Sequence, residues 1–307
     1  MFTIKESKYE GAAVPTDLKD LVWDMAILGE QNLDQRSITA CDFSKSNSKE
    51  SFKLSYSSDQ RSLFINDVGC TYGILRERLR SCESLLIEAT SLHCPEIMNI
   101  LRCAIELKIK QLSFLYLEPI EYRKSIKGTL SESRSFDLSS NSRFQSIHGF
   151  MTNISDLSPG QAVFFLGFEK ARLAQAFEQQ EVLQQWQNHA VIGVPAFQPS
   201  WEIDTLSNNI NNLASRDFIV QYCSASSVKA AHLLLSSVIN ADKIGNSIIV
   251  APLGTKPHTI AASLFVAEHN SYDRAVLLYD HPQRLTGRSK SVKRWHLYDV
   301  AIDHGTN

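Results

Sequence analysis

After about residue 60 the chain repeats one unit: a short run rich in Val, Ile, Leu and Phe, a polar or Gly/Pro turn, then apolar residues at helical spacing. Continuous apolar runs of four to eight residues suit strands buried on both faces, and their alternation with amphipathic stretches predicts parallel βαβ construction. Strands are expected near 62 to 66, 84 to 89, 112 to 117, 162 to 166, 190 to 194, 217 to 222, 247 to 251 and 274 to 279, with a last edge strand near 294 to 300. Helices are expected where the stripes fall: Ile97, Met98, Leu101 and Ile105 after Pro95; Ala171, Ala174 and Phe177; Trp201, Leu206, Ile210 and Leu213; Val228, Ala231, Leu234, Leu235 and Val238; Ile260, Ala261, Leu264 and Phe265. These stripes are expected to cover sheet faces. The fold class predicted is α/β, Rossmann-like, with mostly parallel sheets and helices on both faces in two α/β subdomains.

Two stretches break the pattern. Residues 40 to 60 are rich in Ser, Lys and Asn, and residues 125 to 146 are polar with scattered Ser and Arg, so both read as loops. The second is long for a compact domain and places the expected division there. That gives a domain over 1–145 and a second, with a basic hairpin, over 146–307, one continuous sheet being the alternative.

With 307 residues, 43% of them hydrophobic, the chain is long enough to bury a core without staples. Its formal charge of -2, from 31 basic and 33 acidic residues, argues against a nucleic-acid coat but leaves room for a local basic groove. The cysteines at 41, 70, 82, 94, 103 and 223 form no C-x-x-C pair, so reduced, mostly buried thiols are expected and no metal site. No stretch approaches the ~18 apolar residues of a membrane span, and the N-terminus has no apolar leader, which points to a cytoplasmic protein with no membrane partner.

In parallel α/β sheets, ligands bind beyond the carboxyl ends of the strands. The residues following each apolar run are therefore the candidates: Glu88, Thr90, Ser91 and His93; Glu118 and Tyr122; Gly167, Glu169, Lys170 and Arg172; Pro195, Phe197 and Trp201; Ser224, Ser226 and Ser227; Thr255, Lys256 and His258; Asp280 and His281. Ile248-Ile249-Val250-Ala251-Pro252-Leu253-Gly254-Thr255-Lys256-Pro257-His258 is the most informative run. A strand breaks at Pro-Leu-Gly and a helix restarts, so Thr255 and Lys256 stand at a helix N-terminus whose free N–H groups favour an anion. A tight turn accounts for the glycine and proline but not for the lysine, which the macrodipole disfavours there.

The other motifs exclude more than they assign. Gly167-Phe168-Glu169-Lys170 lacks the further glycines of a dinucleotide fingerprint, and there is no P-loop or G-x-S-x-G elbow. NAD binding, P-loop ATP hydrolysis and serine hydrolysis are thus not indicated. One serine of Ser224-Ala225-Ser226-Ser227 is expected to cap the helix from Val228. Phe197 and Trp201 either pack at a seam or stack on a base. His281 beside Asp280 is either a turn residue or an acid/base group. Arg284, Arg288, Lys290, Lys293 and Arg294 are either a solvated, charge-guarded hairpin or a set of phosphate contacts to nucleic acid.

Gly254-Thr255-Lys256, with Ile260 and Ala261 following, resembles the turn of CARF-type Rossmann-like sensor domains of prokaryotic antiviral systems. Leu86-Ile87-Glu88-Ala89-Thr90-Ser91 resembles an early strand turn of the same group, with Glu88 where an Asp is usual. The resemblance implies a cyclic oligonucleotide ligand held near Thr255 and Lys256, commonly across a homodimer, with cleavage of that ligand in some members. The leading expectation is a nucleotide-binding sensor or accessory subunit of a defence complex, with no resident cofactor. Gly254, Thr255 and Lys256 would hold phosphate, Glu169, Lys170, Ser224 and Ser226 would line the crevice, and Phe197 or Trp201 would contact a base. The alternatives are a phosphodiesterase or nucleotide-processing enzyme using Glu88, Glu169 or His281, and a structural interaction subunit.

Overall fold

The computed structural model describes residues 2–124, 136, 138–140, 143–150, 154, 157–241, 247–269 and 274–303. In chain order the elements are β1 (Phe2–Glu10), α1 (Thr16–Lys19), β2 (Trp23–Leu28), α2 (Gln35–Ser46), β3 (Ser48–Ser57), β4 (Ser62–Ile65), β5 (Val68–Cys70), α3 (Tyr72–Arg78), β6 (Ser84–Glu88), α4 (Cys94–Leu107) and β7 (Gln111–Tyr122). Then come β8 (Ser139–Ser140), β9 (Gln161–Phe165), α5 (Lys170–Gln179), β10 (Gln187–Gly193), α6 (Trp201–Ala214), β11 (Phe218–Cys223), α7 (Val228–Ala241), β12 (Ile248–Pro252), α8 (Lys256–His269), β13 (Ala275–Leu277), β14 (Gln283–Arg284) and β15 (Ser289–Ile302). The chain divides into two compact units, one running to Tyr122 and resuming at Thr286, the other Arg123–Leu285. The boundary expected at 145 therefore lies at 122, and the expected C-terminal domain gives up its last strand. Part of the expected 125–146 loop, at 125–135, 137, 141 and 142, lies outside the described residues.

The first unit is an eight-stranded sheet in the order β1-β15-β7-β6-β2-β3-β4-β5. Its centre, β7-β6-β2-β3, is parallel, and antiparallel strands extend both sides. Right-handed crossovers running in opposite directions from the β2/β6 centre put α2 and α4 on opposite faces. On the α2 face, Ala40, Cys41 and Phe43 pack with Trp23, Leu86, Leu115, Leu117 and Trp295. Arg36 is buried at 1% exposure and reaches Ser289 Oγ (2.8 Å), the Leu117 carbonyl (2.8 Å) and Asp34 (3.0 Å). Asp34 caps α2 in turn, so one charge network ties the helix start to the returning strand.

The expected loop over 40 to 60 is instead the end of α2 and the whole of β3. Its polar composition is that of a half-covered strand: only Phe52 and Leu54 are buried, while the alternate residues are at least partly exposed. β1, carrying Lys5, Glu6, Lys8 and Glu10, escapes an apolar-run reading for the same reason. The expected basic hairpin is resolved into β15, which pairs along its length with β1 and β7.

The second unit is a five-stranded, all-parallel sheet in the order β11-β10-β9-β12-β13, with a small β8-β14 ribbon. Numbered within the sheet this is 3-2-1-4-5, the Rossmann arrangement, with the switch point between β9 and β12. Phe164 stacks on Phe177 of α5, while Phe165 lies 4.7 Å from the His258 ring of α8. Successive residues of β9 thus face opposite layers, α5 and α6 on one side, α7 and α8 on the other. The fold is α/β, Rossmann-like, with mostly parallel sheet centres covered on both faces.

Candidate functional site

At the switch point the register sets Phe165 opposite Pro252, so the turns after β9 and β12 leave side by side. A Cβ on Gly167 would stand 2.5 Å from the Leu253 carbonyl oxygen, and one on Gly254 would stand 2.6 Å from that of Leu166. Both glycines are required by this backbone approach, which a side chain would prevent. Beyond them Thr255 and Lys256 open α8, both partly exposed. The first turn of α8 carries no acidic residue, so the lysine and the helix N-terminus share one sign of charge.

Thr255 Oγ1 donates to the Ala225 carbonyl at 2.7 Å, and His258 Nε2 contacts the Ser224 carbonyl at 3.0 Å. These bonds stitch the turn after β12 to the turn after β11. Ala225 N reaches the Pro195 carbonyl at 3.1 Å, joining the turn after β10 to the same group. Contact with a carbonyl requires His258 Nε2 to carry the proton, and Nδ1 has no hydrogen-bond partner. Burial pushes the imidazole down to about 4, so the ring is neutral. Ser227 Oγ accepts from Ala230 N at 3.0 Å and is the serine that caps α7. Ser226 is buried and Ser224 partly so.

Arg172, in the first turn of α5, is buried and places Nε and Nη2 on Asp280 at 2.5 and 2.6 Å, with Nη1 on the Leu253 carbonyl at 2.7 Å. Burial opposes the guanidinium charge, but Asp280 outweighs it and raises its pKa above the ordinary value. The pair supports the Leu253-Gly254 backbone from below. Glu169 Oε1 accepts from Ser139 N (3.0 Å) and Ser139 Oγ (2.7 Å), so this carboxylate holds β8. Lys170 is exposed, and its carbonyl accepts from Asn212 at 3.0 Å. His281 contacts the Gln145 carbonyl at 3.1 Å, and burial lowers its pKa. It is a turn residue with φ of 45°.

Of the two aromatics expected at a base, Phe197 is 5% exposed and part of the interior. Trp201 is partly exposed and edge-on to Phe168 at 5.4 Å, which stacks on Phe136 at 4.2 Å. The second unit therefore brings Gly254, Thr255, Lys256, Glu169, Lys170, Ser224, Ser226 and Trp201 to the carboxyl ends of its strands. Glu88 belongs to the first unit, where it ends β6 with no exposure, accepting from Ser91 N at 3.2 Å, Ser91 Oγ and Cys41 Sγ. Burial raises its pKa, and its bonds close the turn that follows.

The basic stretch is divided between the two units. Arg284 lies in the second unit; in the first, Lys290 pairs with Glu121 at 3.7 Å, Lys293 with Glu118 at 3.5 Å, and Arg294 with Glu118 at 3.3 Å and with Glu10. Each of these three therefore has an acidic neighbour on an adjacent strand, although Lys290 and Glu121 are both largely exposed and their pair is weak. Glu118 also meets His296 Nε2 at 2.8 Å, both fully buried. Only the β7-β15 register, which sets Tyr116 opposite His296, reveals this pair.

Openings among the described residues also lie elsewhere. One of about 310 Å³ in the first unit, at the ends of β2 and β3, is lined by Gly29, Gln31, Lys45 and Lys53, but Lys53 is paired with Glu30 and Asp67. One of about 650 Å³ in the second unit opens at the amino ends of β10 and β11, lined by Phe177, Trp186, Arg216 and Ile219. Among the described residues, no group of three or more His, Cys, Asp or Glu could hold a metal ion, and no helix is long and apolar enough to cross a membrane.

No protein-family model matches the chain, and the comparison with curated proteins finds no match. Among solved structures, the chain is similar to an N-terminal ketoreductase from a macrolactin assembly line, at 8% identity over 89% of this chain and 73% of that one, with a TM-score of 0.22. It is similar to a ketoreductase domain from the bacillaene assembly line at 11% identity over 90% and 73%, with a TM-score of 0.24.

Proposed function

We propose that the second unit binds a phosphate-bearing nucleotide at the carboxyl rim of its sheet, and that the chain is a sensor or accessory subunit of a prokaryotic antiviral system. The observation that carries this is the start of α8. Lys256 and the first N–H groups of a 14-residue helix, whose first turn contains no acidic residue, stand together at the end of β12, beside the switch point. A phosphate there would meet positive charge from both. Trp201, partly exposed where Phe197 is buried, is the better placed of the two to meet a base, and Lys170 adds an exposed cation. The Gly254-Thr255-Lys256 resemblance favours a cyclic oligonucleotide over a mononucleotide.

Binding has more support than turnover. Glu169, His281 and Glu88 all hold neighbouring backbone or hydroxyl groups, which is structural work. The test is calorimetry against linear and cyclic nucleotides with inorganic phosphate as control. We expect one nucleotide class to bind and Lys256→Ala to weaken it by about tenfold or more, roughly 1.4 kcal/mol. Absence of binding by any nucleotide, or equal affinity in the variant, refutes the reading.

A further inference from the structure

The two large sheets have four edges, and three are guarded. β1 carries Lys5, Glu6, Lys8 and Glu10, and β5 and β13 are three residues each. Charge and shortness are the ordinary protections of an edge strand against pairing with another chain. β11 has neither. Its six residues, Phe218-Ile219-Val220-Gln221-Tyr222-Cys223, contain no charge and no proline, and among the described residues only β10 pairs with it. Ile219 and Val220 are each 42% exposed and Tyr222 65%.

The apolar surface continues beyond the strand. Phe218 packs on Phe164 and Phe177, so the even-numbered residues of β11 face the α5/α6 layer and the odd-numbered ones face α7. On the same layer as Val220 and Tyr222, α6 exposes Ile203, Leu206 and Ile210, a stripe at i, i+3 and i+7. Scattered apolar residues on a surface are ordinary, but an unguarded strand beside an apolar helix stripe is an association site.

We infer that β11 is the interface of a homodimer, in which two copies pair antiparallel about a two-fold axis and join their five-stranded sheets into one of ten strands. Two-fold symmetry normal to the sheet keeps each face continuous and requires residues of the same parity to meet. Centring on Val220 sets Val220 against its own copy and Phe218 against Tyr222, an apolar and an aromatic pair. Centring on Gln221 would place two glutamines together and leave Phe218 opposite Ser224. The charges also match. Asp217 directly precedes the strand, and in this register it meets Cys223 of the other copy, next to the turn that opens α7. That helix start carries Lys229 and no acid in its first turn. Each Asp217 thus faces the positive end of the other copy's α7, twice over by symmetry. A second copy satisfies these conditions, whereas an unrelated extended peptide has no need to carry the reciprocal charge.

Light scattering on the full chain tests this. We expect twice the 34.5 kDa chain mass, Val220→Lys to raise the dimer dissociation constant by about a hundredfold or more, and Tyr222→Lys to do likewise with unchanged circular dichroism. Oxidised Val220→Cys should give a covalent dimer and Gln221→Cys should not. Asp217→Lys should weaken the dimer, and Lys229→Asp added to it should restore it. A monomer at about 100 µM, at which a standard-sized interface would be occupied, overturns the inference. So does a dimer untouched by folded Tyr222→Lys. Light scattering reads assembly and calorimetry with Lys256→Ala reads nucleotide binding, so failure of this interface and failure of the binding site are told apart.

Discussion

Arg172 and Asp280, 108 residues apart in the chain, meet in a buried two-point ion pair at the carboxyl end of the second sheet. The third donor of the arginine goes to the Leu253 carbonyl, so the pair carries the turn that positions Lys256. Breaking a buried pair from one side leaves a charge without its counterion, which typically costs about 3–5 kcal/mol. We expect Asp280→Asn and Arg172→Met each to lower urea stability by that order. The double variant Arg172→Met with Asp280→Leu should lose less than the sum.

His258 makes stability pH-dependent with a defined sign. Its folded pKa of about 4 lies below the ordinary imidazole value because burial penalises the cation. The unfolded chain therefore binds the proton first as pH falls. Its contribution is full above about pH 6.5 and is lost between 6.5 and 4, to the extent of about 3 kcal/mol. Chemical denaturation across that window should show the slope, and His258→Gln should flatten it. An unchanged slope in the variant would assign it to other groups.

Gly167 and Gly254 should tolerate no side chain. The Cβ of either alanine variant would stand 2.5 or 2.6 Å from a carbonyl oxygen of the facing turn. Backbone must then move on both sides, at a cost of about 1–3 kcal/mol. Thermal melts of Gly167→Ala and Gly254→Ala should each fall by several degrees, with Gly69→Ala, whose nearest contact would be 3.8 Å, as the mild control.

Lys256→Ala should separate binding from folding. The side chain is partly exposed at a helix N-terminus, where its removal relieves a small dipole penalty. Stability should change by no more than about 1 kcal/mol, the range of a partly exposed polar contact. Nucleotide affinity should fall as stated above. A large stability loss would instead mean that the lysine is structural.

The second unit was largely legible because its strands are buried on both faces, so each appears as an uninterrupted apolar run. Ala162–Phe165 and Ile248–Pro252 are buried throughout. The helices between them carry stripes, and the serine cap of α7 and the restart at Lys256 follow from local chemistry. The first unit was half hidden. β1 and β3 are partly exposed and polar, and the pattern that marks a buried strand is absent from them.

By itself the sequence determined the α/β class, the parallel strands and the candidate rim of the second unit, because burial periodicity and turn chemistry are local properties. Only the tertiary structure decided that β15 leaves its sequence neighbours for the first sheet, and that Lys293 and Arg294 meet Glu118. It also decided that Phe197 is interior and that Gly254 is required by a facing carbonyl. These are relations between residues far apart in the chain. Strand order and register create them, and no single stretch of sequence contains either.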